Sequence, residues 1–210
     1  MELYTYYRST SSYRVRIALA LKGLDVRAVP VNLLEGEQRA AGYTALNPQG
    51  RVPALRLDDG ILLVQSPAII EYLEEVQPQP PLLPVEAAQR AKVRGVAALI
   101  GCDVHPLHNV SVLNQLRQLG HDEAQIHRWI AHWIGEGLAA VERLIGARGY
   151  CFGDEPGLAD VYLIPQLYAA ERFGIDLGRY PRVNRVAALA ALHPAFRAAH
   201  PAAQSDAPTQ

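Results

Sequence analysis

The sequence predicts a two-domain chain: an α/β domain with a four-stranded mixed sheet over residues 1–80, then an all-helical domain over residues 85–200. Three observations lead there. Residues 1–76 alternate between strand-like and helix-like patterning. Residues 78–84 hold four prolines in seven positions, which stops any helix and marks a linker. Beyond them no run alternates with period two, and apolar residues recur at helical spacing.

The elements follow in order. Glu2–Tyr6 alternates and reads as a strand. After Ser9-Thr10-Ser11-Ser12, residues Val15, Ala18, Leu19 and Leu21 mark the apolar face of a helix. Arg14, Arg16 and Lys22 mark its polar face, and Gly23 closes it. Val26–Val31 is a second strand, and Glu37–Leu46 a short helix ended by Asn47-Pro48-Gln49-Gly50. Val52–Leu57 and Ile61–Val64 form a hairpin about Asp58-Asp59-Gly60. Ser66 should cap a helix with Pro67 in its first position and Ile69, Ile70, Leu73 and Val76 on one face. The first strand–helix–strand unit should cross right-handed and pair in parallel, while the hairpin adds an antiparallel pair. In the second half, Glu86–Ile100, Glu123–Ile145, Gly157–Ala170 and Arg182–Leu192 read as helices. Trp129 and Trp133 are expected in the core. Residues 201–210 are small and polar and are expected to be flexible.

Composition narrows the function. Half of the 210 residues are hydrophobic, enough for real cores, and the net charge is -1. No basic patterning points to nucleic acid or an anionic membrane surface. No apolar run approaches the roughly 20 residues of a membrane span, and no signal-peptide pattern opens the chain. Cys102 and Cys151 form no CxxC and imply no disulfide framework, so a reducing cytoplasm is expected. Cys102, His105 and His108 recur at three-residue spacing. At about 100° per residue they do not converge on a helix, and Pro106 interrupts them, so no metal site is expected.

The most informative stretch is Tyr6–Gly23. One cap needs one hydroxyl, and four stand at this strand-to-helix junction. A helix N-terminus favours an anion. If the anion is a thiolate, hydroxyl donors lower its pKa. A two-unit shift needs about 2.7 kcal/mol of differential stabilisation, within reach of hydroxyls and helix dipole together.

The run YYRSTSSYRVRIALALKG, with NPQGRVPAL, QSPAIIEYLEE, HPLHNVSVL and FGDEPGLADVYLIPQ, resembles the zeta class of the glutathione transferase superfamily, which includes maleylacetoacetate and maleylpyruvate isomerases. The resemblance spans the chain to about Pro201. It implies a thioredoxin-like first domain, an all-helical second domain, glutathione as cofactor and a homodimer. It also implies cis–trans isomerisation of a small dicarboxylate oxo acid, with maleylpyruvate favoured over maleylacetoacetate. The resemblance assigns the thiolate contacts to Ser9, Thr10 and Ser11. It puts Gln38, Val52, cis-Pro53, Gln65, Ser66, His105, Asn109, Val110 and Ser111 against glutathione. Arg8 and Arg172, with His108, are assigned to the substrate, since a dicarboxylate requires cationic anchors.

Two departures stand out. The class carries Ser-Ser-Cys where this chain has Ser9-Thr10-Ser11, so glutathione must supply the sulfur. The helix near Gly157 lacks its usual Ser or Thr cap but keeps Asp160. Two rival readings share these residues: a conjugating transferase or dehalogenase, and a non-catalytic interaction protein. The second would be expected to lose Gln65-Ser66 or the hydroxyl loop, and both are present.

Overall fold

The computed structural model describes residues 1–208. The chain divides into two compact units, one of residues 1–81 together with the C-terminal segment from Leu192, the other of residues 82–191.

The first unit is built on a four-stranded sheet in the order β2-β1-β3-β4. β1 (Glu2–Thr5) pairs in parallel with β2 (Arg27–Pro30) and antiparallel with β3 (Ala54–Arg56), which pairs antiparallel with β4 (Leu62–Val64). Alternation along β1 buries Leu3 and Thr5 and leaves Glu2 and Tyr4 half-covered. The turn between β3 and β4 needs a positive φ, supplied by Gly60 at 90°.

α1 (Thr10–Leu21) begins at Ser9, whose Oγ accepts from the Ser12 N–H at 3.2 Å. It ends in a Schellman turn: Gly23 has φ 65°, its N–H reaches Ala20 O, and the Leu24 N–H reaches Leu19 O. The expected polar face of α1 is not solvated. Arg14, Arg16 and Lys22 are 2%, 7% and 4% exposed. The reason is an element the sequence did not announce. α9 (Pro194–Ala199) packs on α1 from the C-terminal segment, while the helix Ser66–Val76, α3, covers another side. Lys22 accordingly pairs with Glu74 and donates to Pro80 O at 2.7 Å.

The stretch expected to be one helix from Glu37 splits into a 3-10 turn, Glu37–Arg39, and α2 (Ala41–Leu46). α3 (Ser66–Val76) places Gln65, not Ser66, at the cap, with Pro67 second. The φ of 72° at Gln65 turns the chain one residue earlier than the Ser-Pro pattern suggests. Ile69, Ile70 and Leu73 are buried as expected, but Val76 is 53% exposed. Residues 201–208, expected to be loose, form a 3-10 turn at Pro201–Ala203 and reach back to β1's exit, where Asp206 accepts from the Tyr7 N–H at 2.8 Å. Composition concealed this because small polar residues bond through backbone and one carboxylate rather than through apolar burial. Thr209 and Gln210 lie outside the described residues.

The second unit is helical throughout: α4 (Ala87–Ala98), α5 (Val110–Gln118), α6 (Glu123–Leu144), α7 (Leu158–Arg172) and α8 (Pro181–Leu192, whose last residue belongs to the first unit). Glu86 caps α4 by accepting from Ala88 and Gln89 N–H. Asp122 and Gln125 form a reciprocal capping box on α6. Between α4 and α5 the chain passes through a π-helical turn, Leu99–Val104, and a 3-10 turn, His105–His108. The helical run Ala87–Gln118 is long and apolar enough to cross a membrane by length and composition alone. Its buried residues Val93, Val96, Ile100 and Val104 face the core shared with α6 and α7. Trp129 and Trp133 are half-buried, not core. They meet edge-on at 5.7 Å, and the Trp129 indole N–H donates to Leu107 O at 2.7 Å. α7 starts at Gly157, and its Asp160 carboxylate accepts from the Gly157 and Cys151 N–H groups at 2.8 and 2.9 Å. Burial raises the Asp160 carboxyl above the usual range, and these two N–H groups pull it back.

The π-helical turn lies close on α6 because residue 137 is glycine. A Cβ there would sit 2.1 Å from Val104 Cγ2. Val104 is β-branched and buried, so it has little room to yield. Gly137→Ala is therefore expected to cost about 1–3 kcal/mol in urea unfolding. Val104→Ala in the same chain should recover part of that loss. Strict additivity of the two substitutions would show that the close approach is not what Gly137 serves.

Candidate active site

The sheet register sets the site. Tyr4, Ala54 and Val64 lie opposite one another on β1, β3 and β4, and Thr5 lies opposite Pro30 on β2. The exits of β1, β2 and β4 and the entry of β3 therefore share one end of the sheet. To that end come residues 6–9 after β1, residues 52–53 before β3, and residues 65–66 after β4. Tyr6, Val31 and Val52 pack there as one buried cluster, with Tyr7 and Tyr43 against it.

Each expected residue of this unit can be placed. Ser9 is half-buried at the head of α1; Thr10 is buried and Ser11 half-buried in its first turn. Ser9 Oγ uses a lone pair on the Ser12 N–H, which leaves its O–H able to donate. Arg8 is half-buried beside Tyr6. Burial raises the Tyr6 phenol, and the Arg8 guanidinium draws it down. The Val52–Pro53 bond is cis, and both residues are buried. Gln65 is the one non-glycine among the described residues with positive φ, a conformation that costs of order 1–3 kcal/mol and that gathers at functional sites. Its Nε2 donates to Gln49 Oε1 at 2.6 Å. No side chain caps α3, whose first residue, Ser66, is 3% exposed. Gln38 sits in the 3-10 turn with its Oε1 buried and unpaired.

The helical unit holds a separate group. His105 and His108 are buried on the 3-10 turn with ring centroids 5.3 Å apart. His108 Nε2 lies 3.1 Å from Gln166 Oε1, and its ring meets Phe173 edge-on at 5.7 Å. Arg172 is exposed in the last turn of α7, with its guanidinium 4.8 Å from the centre of the Phe173 ring. Phe173 thus links His108 to Arg172. Asn109 caps α5 and accepts from the Ser111 N–H and O–H, both at 3.2 Å, while Val110 is exposed. Exposed Cys102 does not share the buried setting of the two histidines.

The sequence reading passed over Gln49, Gln166 and Asp206. Gln166 did carry a signal: it is a lone amide between Leu163, Pro165 and Leu167, and a buried amide needs a partner. Neither cysteine is placed as a nucleophile. Burial, with Asp160 alongside, pushes the Cys151 thiol far up, and Cys102 is in the helical unit.

Comparison with known proteins finds matches to both parts of the chain. Residues 8–76 match the glutathione S-transferase N-terminal domain, and residues 123–202 match the glutathione S-transferase C-terminal domain. Maleylacetoacetate isomerase of Pseudomonas aeruginosa is 71% identical over 210 residues, 99% of each chain. A bacterial zeta-class maleylpyruvate isomerase, solved in its holo form, superposes with TM-score 0.96 at 47% identity over 99% of this chain and 100% of that one. Maleylacetoacetate isomerase from Anaeromyxobacter dehalogenans 2CP-1, with dicarboxyethyl glutathione and citrate in its active site, gives TM-score 0.90 at 45% identity over 99% and 97%. With both halves matched in order and a relative this similar from end to end, the chain belongs to the glutathione S-transferase family, in the group of these maleylacetoacetate and maleylpyruvate isomerases.

Proposed function

We propose that this protein is a glutathione-dependent cis–trans isomerase of maleyl-oxo acids. The observation that carries the reading is the hydroxyl loop at the head of α1, at the same end of the sheet as the uncapped start of α3. The 71% identical relative shifts the preferred substrate from maleylpyruvate, favoured on the missing cysteine, to maleylacetoacetate.

The residues present fit glutathione. The free N–H groups at the start of α3, with Ser66, suit a carboxylate, and the strained Gln65 backbone is what presents them. The unpaired Oε1 of Gln38 suits a peptide N–H, and residues 52–53 suit an extended peptide laid beside β3. His105, Asn109, Val110 and Ser111 are proposed as the helical unit's contacts. Glutathione, when bound, supplies the thiolate sulfur that adds to the cis double bond, lets the resulting single bond turn, and leaves again unchanged. Ser9, with Thr10 and Ser11, donates to that sulfur, and the α1 N-terminus favours its negative charge. Arg8 and Arg172 hold substrate carboxylates, with His108 alongside, where an unpaired charge would be costly.

The decisive experiment incubates the enzyme with catalytic glutathione and either maleylacetoacetate or maleylpyruvate. The trans product should accumulate with all glutathione recovered. Stoichiometric loss of free thiol would instead identify a conjugating transferase or dehalogenase, and no turnover of either acid would favour a binding role.

Variants should separate the two halves of the chemistry. Ser9→Ala should move the ultraviolet titration of bound glutathione thiol to higher pH; it also removes a helix cap worth about 1 kcal/mol, so the titration rather than stability is the readout. Arg8→Ala and Arg172→Ala should each lower kcat/KM for the diacid about ten- to a hundred-fold while glutathione affinity holds. Wild-type kinetics in Arg172→Ala would return that residue to the role its setting over Phe173 already gives it.

A cytoplasmic homodimer completes the proposal. Both cysteines are free, as in a reducing compartment. Ile61 and Val64 at edge strand β4 and Val76 on α3 are exposed apolar side chains that a partner would cover. Sedimentation at micromolar concentration should report twice 23.0 kDa, and a species at 23.0 kDa would refute the dimer.

A further inference from the structure

The loop that carries Arg8 and Ser9 has no strand or helix of its own, yet its backbone is tied down from two sides. From α1, the buried Arg16 fans out: Nη1 donates to Thr5 Oγ1 at 3.1 Å and to Tyr6 O at 3.3 Å, and Nη2 donates to Tyr7 O at 2.9 Å. Its Nε donates to Ala199 O at 3.0 Å, at the end of α9. From the C-terminal segment, Asp206 Oδ2 accepts from the Tyr7 N–H at 2.8 Å. Both backbone polar groups of Tyr7, its N–H and its C=O, are therefore engaged, one by an anion 199 residues away in sequence and one by a cation of α1. The Ser9 N–H closes the turn onto Tyr6 O at 3.0 Å.

Held in this way, Tyr7 fixes the exit angle of the chain immediately before Arg8. The tie lies within a single unit and ends beyond residue 202, where the match to the family's C-terminal domain stops. Tyr13 meets His200 edge-on at 6.0 Å, and the His200 ring accepts from the Ala202 N–H, so the segment reaches Asp206 along a defined course. Charged partners make these hydrogen bonds stronger than neutral ones, and burial strengthens them further.

We infer that Asp206 is a positioning residue: with Arg16 it clamps Tyr7, so that the C-terminal segment sets the geometry of the Arg8–Ser9 loop. The inference rests on the function proposed above for that loop. The test is Asp206→Ala, with Asp206→Asn as the conservative variant that keeps a carbonyl oxygen for the Tyr7 N–H.

Two readouts are taken on the full-length chain. Amide hydrogen exchange at Tyr7–Ser9 should speed about tenfold or more in Asp206→Ala, while Ile69–Leu73 in α3 exchange as in wild type. Turnover of the maleyl-oxo acid should fall about tenfold in kcat with a smaller change in KM for glutathione, and Asp206→Asn should recover most of both. Unchanged exchange at Tyr7 would overturn the clamp. Faster exchange with wild-type kcat would reduce Asp206 to an anchor of the tail and overturn its positioning role. If wild-type protein itself isomerises neither acid, the functional proposal falls, and the exchange comparison still decides whether the clamp exists.

Discussion

The sheet register is the constraint on which the rest depends. Because β1 runs parallel to β2 and antiparallel to β3, three separate connections are delivered to one end of a very small sheet. A one-residue slip of β3 against β1 would invert its faces, bringing Arg56 inward and Leu55 out. Leu55 and Leu3 lie opposite each other and are both essentially fully buried, so the core itself holds the register that aligns the loops.

Buried charge is the second organising theme. Arg16 and Lys22 on α1 are covered rather than solvated: Arg16 is satisfied by oxygens of the post-β1 loop and of α9, Lys22 by Glu74 and the Pro80 carbonyl. Breaking such a group from its partners costs more than its formation gains, because the charge is left in a poorly hydrated place. In this unit the polar contacts therefore act as locators. They fix where α9, the post-β1 loop and the end of α3 stand around α1, while apolar burial supplies the driving force.

The chemistry follows from what the chain withholds. It brings no thiol to the head of α1, and its buried cysteine is held protonated by burial. What it offers there is a hydroxyl at a helix N-terminus, half-buried, with one lone pair already used and its proton free to turn outward. Such a site suits a sulfur anion that arrives from outside, which is the role proposed for it. Elsewhere in the unit, the positive φ at Gln65 and the uncapped start of α3 keep N–H groups available where an ordinary Ser cap would have consumed one. The helical unit contributes a different environment, with two imidazoles that meet edge-on and an arginine linked to one of them through Phe173.

Local rules were enough for much of this. The strand and helix periods, the Schellman glycine at Gly23, the Asp-Gly hairpin and the proline linker each depend on residues a few positions apart, so the sequence displays them directly. It also displayed the hydroxyl loop, Gln65-Ser66 and Val52-Pro53 as candidates, because each is a run of adjacent residues, while the roles expected of Val52-Pro53 came from the family resemblance. Tertiary structure alone decided the burial of Arg14, Arg16 and Lys22, since a helix has a solvated face only until another element covers it, and α9 comes from some 180 residues away. The same holds for the half-exposure of the two tryptophans, the shift of the α3 cap to Gln65, and the course of the C-terminal segment. Each turns on a contact between residues that local propensity treats as independent, and a carboxylate at position 206 gives no sign in the sequence that its partner is the amide of residue 7.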